Sequence, residues 1–212
     1  MQPTTLGGTW VSGGSAGILS ESSGTVTTSI ASTDDSNDSQ ITYDLGAGNV
    51  SDSKWILRAK VNLTSSISAP SNACTVSLGI ADTTTITGEG ETGGNDILTS
   101  KIHLQDDTNN TYMVIDSTPT AGSNRVTRMT TGNIYYVQLQ RVSETSFEVK
   151  VFSDSTYSTQ VGTTSSSSPT TSLTGGRYVF VHFFSQTISS GSATVIFSDL
   201  EFYNGVTSTR IL

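Results

Sequence analysis

The sequence is poor in the residues that usually cross-link, interrupt or charge a domain. It holds one cysteine, four prolines and two histidines, and only 13% of its 212 residues are charged. With Cys74 alone no intramolecular disulfide can form, which excludes a disulfide-stapled scaffold. Set within Ala73-Cys74-Thr75-Val76, that residue reads as a small buried hydrophobe beside a strand. No stretch approaches the ~18 apolar residues of a membrane-spanning helix, so membrane insertion is not expected. Basic residues are scarce: ten Lys and Arg against eighteen Asp and Glu leave a formal charge of −8. Nucleic acid and anionic membrane both need a basic face, so neither is an expected partner. A glycan or another protein surface is, including neighbours in a larger assembly. Met1-Gln2-Pro3-Thr4-Thr5 lacks a basic and apolar leader. The expectation is either a trimmed chain or a protein made inside a cell without a secretion signal, as a viral structural protein is.

Helical periodicity of useful length is missing too, and what replaces it is alternation. About a third of the chain is Ser or Thr, which suits strands and turns better than helices. In Lys54-Trp55-Ile56-Leu57-Arg58-Ala59-Lys60-Val61-Asn62-Leu63, the residues Trp55, Leu57, Ala59, Val61 and Leu63 fall on one face. Lys54, Arg58, Lys60 and Asn62 fall on the other, so this strand has one dry and one wet side. Further on, Tyr135, Val137 and Leu139 alternate with Tyr136, Gln138 and Gln140. After a turn at 142–146, Phe147, Val149 and Val151 alternate with Glu148, Lys150 and Phe152, giving a hairpin. The run 178–184 is apolar except for His182, as expected of a central strand covered on both faces. In the last strand, 195–203, Leu200 and Phe202 should point inward, with Asp199, Glu201 and Tyr203 outward. Other strands are expected at 24–30, 40–45, 75–81, 97–105 and 111–116. Residues 82–96, rich in Gly, Thr and acids, read as a long irregular loop, and 163–169 as a low-complexity surface connection. No linker divides the chain and no repeat is visible. Residues 1–212 therefore read as a single domain, within the range of about 200–250 residues that large β-sandwiches reach.

Two stretches carry a resemblance. Tyr43-Asp44-Leu45-Gly46-Ala47-Gly48-Asn49-Val50-Ser51-Asp52-Ser53-Lys54-Trp55-Ile56-Leu57-Arg58 is one. Phe197-Ser198-Asp199-Leu200-Glu201-Phe202-Tyr203-Asn204-Gly205-Val206-Thr207-Ser208 is the other. With the hairpin between them, they resemble the concanavalin A-like (laminin-G-like) domains found in proteins of marine microbes and their viruses. The resemblance runs from about Gln40 to Ser208 and takes in the Trp10 region more loosely. It implies an all-β, concanavalin A-like jelly-roll sandwich of two stacked antiparallel sheets, with a concave outer face that often holds ligand. That fold hosts lectins, hydrolases, lyases and structural modules alike, so it specifies architecture more than activity.

Catalysis is not expected. Family-16 glycoside hydrolases on this fold carry Glu-x-Asp-x-x-Glu on one strand to flank the scissile bond. Here Asp199 and Glu201 share a strand face, but the third carboxylate is missing. Family-7 alginate lyases combine Arg-x-Glu-Leu-Arg, Gln-Ile-His and Tyr-x-Lys-x-Gly-x-Tyr-x-Gln. Lys101-Ile102-His103 is superficially similar to the middle motif, yet Leu57-Arg58 lacks the glutamate and Tyr203-Asn204-Gly205 lacks the preceding lysine. The acid, base and carboxylate clamp of such an enzyme is therefore incomplete.

The candidate carbohydrate contacts are His103, Gln105, Tyr112 and Asp116, on the strands either side of the turn 106–110. An aromatic face covers sugar C–H surface while amide and carboxylate groups take hydroxyls. The competing reading is ordinary cross-strand pairing on a half-wet sheet. The candidate cofactor is calcium, for which Asp106, Asp107 and Asn109 offer hard oxygen ligands, with Glu89, Glu91 and Asp96 in the long loop as a second cluster; Asp and Asn also dominate tight turns for local reasons. The expected function is a non-catalytic, lectin-like carbohydrate-binding module, extracellular or exposed on a cell or virion surface. The alternative is a virion surface component such as a capsid-decoration or tail-fibre protein, and a polysaccharide hydrolase or lyase stands third. Far-UV circular dichroism should give a β spectrum with negligible helix, and a dominant helical signal would contradict the alternation.

Overall fold

In the computed structural model the described residues are 2–14, 17–31, 33–34, 37–65, 67–68, 74–86, 97–104, 111–117, 120–167, 174–185, 188 and 190–207. Among them are sixteen strands and no helix. In chain order these are β1 (Thr4–Thr5), β2 (Trp10–Gly14), β3 (Leu19–Ser22), β4 (Thr25–Ala31), β5 (Asp38–Asp44), β6 (Trp55–Leu63), β7 (Ile67–Ser68) and β8 (Cys74–Ala81). They continue as β9 (Ile97–Leu104), β10 (Thr111–Ser117), β11 (Thr120–Met129), β12 (Ile134–Ser143), β13 (Ser146–Phe152), β14 (Gln160–Ser167), β15 (Tyr178–Ser185) and β16 (Ser190–Asn204).

Two antiparallel sheets result. One has the order β14-β13-β12-β6-β16-β4-β3, with β1 and β7 also paired to β16, and the other runs β11-β10-β9-β8-β15-β5-β2. Strand β16 is long enough to take β4 beside its first part and β1 near its end. Between the sheets lies one contiguous apolar cluster fed by the inward residues of both. Every residue assigned inward on β6 is fully covered, Trp55 among them, with its ring 5.8 Å from Phe147 and 6.4 Å from Phe202.

The apolar run on β15 is a central strand, as its composition suggested. Val179, Val181 and Phe183 join the main core, while Phe180 packs with Ala81 and Ile86 in a second small cluster on the other face. The side chain of Gln40 holds the covering segment in place, donating to the Thr84 carbonyl and accepting from the Ile86 amide. Gly79, paired with Phe180, is required here: a Cβ would come within 2.8 Å of the ring and 2.3 Å of the Leu98 carbonyl oxygen. His182 is fully buried, with Nε2 2.6 Å from Asp38 Oδ1. Cys74 is buried, and desolvation, followed by the nearby Asp34 charge, pushes its thiol up to about 12.

Strands β1, β2, β3, β7 and β11 were not expected from the sequence, and two further features depart from its reading. Residues 163–167, expected in a loop, belong to β14, an edge strand whose backbone pairs with β13 (Val149 opposite Ser165, Val151 opposite Val161). An edge strand needs no continuous apolar face, so composition concealed it. The second is a bulge in β16. Lys60 pairs with Ser198 and Arg58 with Glu201, so three residues on β16 span two on β6, and Asp199 adopts φ +51°. The extra residue reverses the parity of the strand. Val195 and Phe197 point inward before it, and Leu200 and Phe202 after it.

Trp55→Ala should cost ~3–5 kcal/mol of stability in urea unfolding, as expected for truncating a buried large aromatic. Lys60→Ala, on the opposite face of the same strand, should cost under ~0.5 kcal/mol. Equal losses at the two positions would mean that the faces of β6 are reversed.

Candidate functional site

The outer face of the nine-stranded sheet carries a groove of about 460 Å³, lined by Arg58, Gln138, Gln140, Lys150, Phe152, Thr156, Tyr157, Ser158, Gln160 and Thr207. Strand register explains how these residues meet. Lys150 pairs with Gln138, Gln138 with Arg58 and Arg58 with Glu201, a polar row across β13, β12, β6 and β16. In the next outward row Gln160 pairs with Phe152 and Phe152 with Tyr136. The row on the other side places Glu148 opposite Gln140.

The floor is held by a chain of side-chain hydrogen bonds. Arg58 Nε donates to Gln138 Oε1 at 2.9 Å, Gln138 Nε2 to Gln140 Oε1 at 3.0 Å, and Gln140 Nε2 to the Thr207 carbonyl at 2.7 Å. Both amides are more than nine-tenths covered although they occupy outward positions. The Arg58 guanidinium lies 3.9 Å from the centre of the Tyr157 ring and 5.6 Å from that of Tyr203. Such placement lets the ring quadrupoles attract the cation. Tyr157 also meets Phe152 and Tyr136 edge-on, at 5.5 and 5.9 Å. At the far end Tyr203 donates its hydroxyl to Glu201 at 2.9 Å.

Tyr157 comes from the loop 153–159 between β13 and β14, and Asp154 organises that loop. Asp154 Oδ1 accepts from the Thr156 amide at 3.0 Å, the Ser158 amide at 3.3 Å and the hydroxyls of Thr156 and Ser158, while Oδ2 accepts from the Thr159 amide at 2.7 Å. Tyr157 itself has φ +55°, a left-handed conformation uncommon for a bulky residue. Strain of this kind costs about 1–3 kcal/mol and persists where the surroundings over-determine it. Here the Asp154 bonds and the ring contacts do so.

The electrostatics follow from these contacts. Hydrogen bonds, first from Thr156 and then from the Thr159 and Ser158 amides, hold the Asp154 carboxyl far below its usual value. Burial raises the Tyr157 phenol well above its ordinary value, with Arg58 opposing. Tyr203 is raised by burial and by its bond to Glu201. Both phenols stay protonated near neutral pH and act as hydrogen-bonding groups.

Of the residues expected to meet a glycan, His103, Tyr112 and Asp116 lie in the other sheet. His103 stands directly opposite Tyr112 in the β9–β10 register, and on its other side opposite Thr75 of β8. Asp116 is opposite Thr99, four residues along β10 from Tyr112. The backbone thus brings His103 and Tyr112 together and sets Asp116 apart from them. Gln105 lies outside the described residues, as do Asp106, Asp107 and Asn109 of the candidate calcium cluster and Glu89, Glu91 and Asp96 of the second. Among the described residues no group of three His, Cys, Asp or Glu side chains is placed to hold a metal ion.

Alternation put Arg58, Gln138, Gln140, Lys150 and Phe152 on the outward side without distinguishing them from solvated surface. Tyr157 was missed altogether. The signal available was Asp154-Ser155-Thr156-Tyr157-Ser158-Thr159, an acid followed by hydroxyl residues with an aromatic among them, a pattern that favours a side-chain-capped loop.

No protein-family model matches the chain, and no curated protein matches it in sequence. Solved structures do match. The seed lectin of Lotus tetragonolobus is similar with a TM-score of 0.61 and 13% identity over 92% of each chain. The exoplasmic/lumenal domain of VIP36, in a Ca2+- and Man2-bound form, has a TM-score of 0.60 at 9% identity, covering 96% of this chain and 82% of its own. The alginate lyase from Klebsiella pneumoniae has a TM-score of 0.54 at 9% identity, over 92% and 86% respectively. The fold is the concanavalin A-like jelly roll, as the resemblance implied.

Asp154 gives a test of the loop. Its folded pKa lies below the ~3.9 of an unfolded aspartate, so its contribution to stability is present above about pH 4 and is lost as pH falls through the folded value. In a carboxyl-detected NMR titration Asp154 should remain ionised where an ordinary aspartate has protonated. Asp154→Ala should remove the ring-current shift that the Tyr157 ring imposes on the Arg58 signals. Titration of Asp154 with the ordinary aspartates would disprove its role as the loop's anchor.

Proposed function

We propose that the protein is a non-catalytic, glycan-binding module and that the groove beneath Tyr157 receives the sugar. The observation that carries this reading is the row of amides and hydroxyls fixed beside aromatic rings, Gln138 and Gln140 next to Tyr157, Thr156 and Ser158. Sugar rings offer C–H faces to aromatics and hydroxyls to amides, and a few well-placed polar groups set orientation. Because Arg58 and Thr207 already hold the two glutamines, little side-chain freedom remains to be lost on binding.

Several features favour binding over turnover. Among the described residues the groove's lining offers no carboxylate, imidazole or thiol, and its tyrosine is shifted away from neutrality. A phenol held protonated in this way is a hydrogen-bonding group and not a general base. The lectins that share the fold accord with this reading, while the lyase that shares it is a reminder that fold does not fix chemistry. Exposure to the extracellular space, or on a cell or virion surface, suits such a module, and a virion component recognising host glycans would use the same groove.

A second location is supported by one observation, the direct pairing of His103 with Tyr112. Two variants separate the alternatives. Binding should be weak, about micromolar to millimolar, because an open polar groove leaves hydroxyls exchanging with water. Glycans selected on an array should shift NMR signals of Arg58 and Gln138, and Tyr157→Ala should abolish binding while Tyr112→Ala leaves it intact. The converse result would move the site to β9 and β10. An array with no hits would overturn the glycan-binding reading.

A further inference from the structure

Two cations line the groove of a protein that is acidic overall. The chain has eighteen acidic residues against ten basic ones. Among the described residues the groove's lining holds two cations, Arg58 and Lys150, with the carboxylates of Glu148 and Glu201 beside them in the strand rows. We propose that its ligand is an acidic glycan, an oligosaccharide bearing uronic-acid carboxylates; this rests on the groove being the glycan site.

The state of each cation supports the choice. Arg58 is fixed through Nε by Gln138 and by the Tyr157 ring, and it has no ion-pair partner among the described residues. Its register neighbour Glu201 accepts the Tyr203 hydroxyl instead. A guanidinium with a set plane and no paired anion suits a planar carboxylate, which it can meet with two parallel N–H bonds. Lys150 lies one strand beyond Gln138, paired to Glu148 at 2.7 Å, with both side chains about a quarter exposed. The pair keeps part of each side chain in water, so the lysine can exchange its partner for a ligand carboxylate. Gln138 separates the two cations in the row, so they fit successive acidic groups along a chain better than one multivalent anion. The amides and hydroxyls between and around them are the natural partners of sugar hydroxyls.

The test is titration of the intact chain with an oligomer of galacturonic acid and with its carboxyl-reduced neutral counterpart, followed by calorimetry and NMR. The acidic oligomer should bind at least about tenfold more tightly than the neutral one, and added salt should narrow that gap. Arg58→Gln should remove most of the preference. Because Arg58 also supports Tyr157, Lys150→Gln is the second variant: it leaves the stack in place and should weaken the acidic oligomer several-fold with an unchanged Tm.

Equal binding of both oligomers, with Tyr157 signals shifting for each, would overturn the acidic-ligand inference and leave the glycan-binding reading standing. Acidic binding that neither variant weakens would overturn it as well. A sulfated glycan preferred over the uronate would overturn the assignment to carboxylate. Binding of neither oligomer, with no hit on a glycan array, would overturn both readings together.

Discussion

Strand β6 is paired with β12 on one side and β16 on the other, and this double register governs both faces of the nine-stranded sheet. With a period of two, the register that buries Trp55, Leu57 and Ala59 is also the one that sets Arg58 between Gln138 and Glu201. Core and groove are therefore not independent. A slip of one residue would expose the tryptophan and bury the arginine together, so the packing energy of the core protects the geometry of the site. The bulge at Asp199 belongs to the same arrangement, because it lets β16 present Phe197 inward and, after the parity change, Glu201 and Tyr203 outward beside Arg58.

The upper side of the groove is built by different physics. Its loop has no apolar core of its own and is shaped by one carboxylate that gathers backbone amides and hydroxyls. That arrangement holds Tyr157 in an unfavourable backbone conformation over the guanidinium. A rigid sheet below and a hydrogen-bonded loop above leave the site ordered before any ligand arrives.

How far the sequence reveals this molecule depends on which interaction is at work. Alternation exposed β6, β12, β13 and the later half of β16, since burial of one face writes its period into the chain. It could not expose β14, where an edge position removes the need for an apolar face and Ser and Thr repeat without contrast. Nor could it separate Gln138 and Gln140 from ordinary surface residues, because the partners that hold them, Arg58 and the Thr207 carbonyl, are distant from them in sequence. The parity change at Asp199 was invisible for a related reason: the readable segment starts near the bulge, and only pairing with β6 shows the extra residue. His103 and Tyr112 were placed opposite one another through the turn between their strands, and their backbones do pair. Their part in binding is a question of side-chain chemistry, which alternation does not address.

The buried state of Cys74 has a practical consequence. Its thiol is the only one in the chain, and desolvation keeps it protonated and out of reach of solvent at ordinary pH. Thiolate, not thiol, is the nucleophile toward maleimides and other alkylating reagents. The native protein is thus chemically silent to them, and a cysteine introduced at an exposed position would be the single addressable handle. A fluorophore or spin label could be attached beside the groove without first removing the native residue and disturbing the core in which it sits.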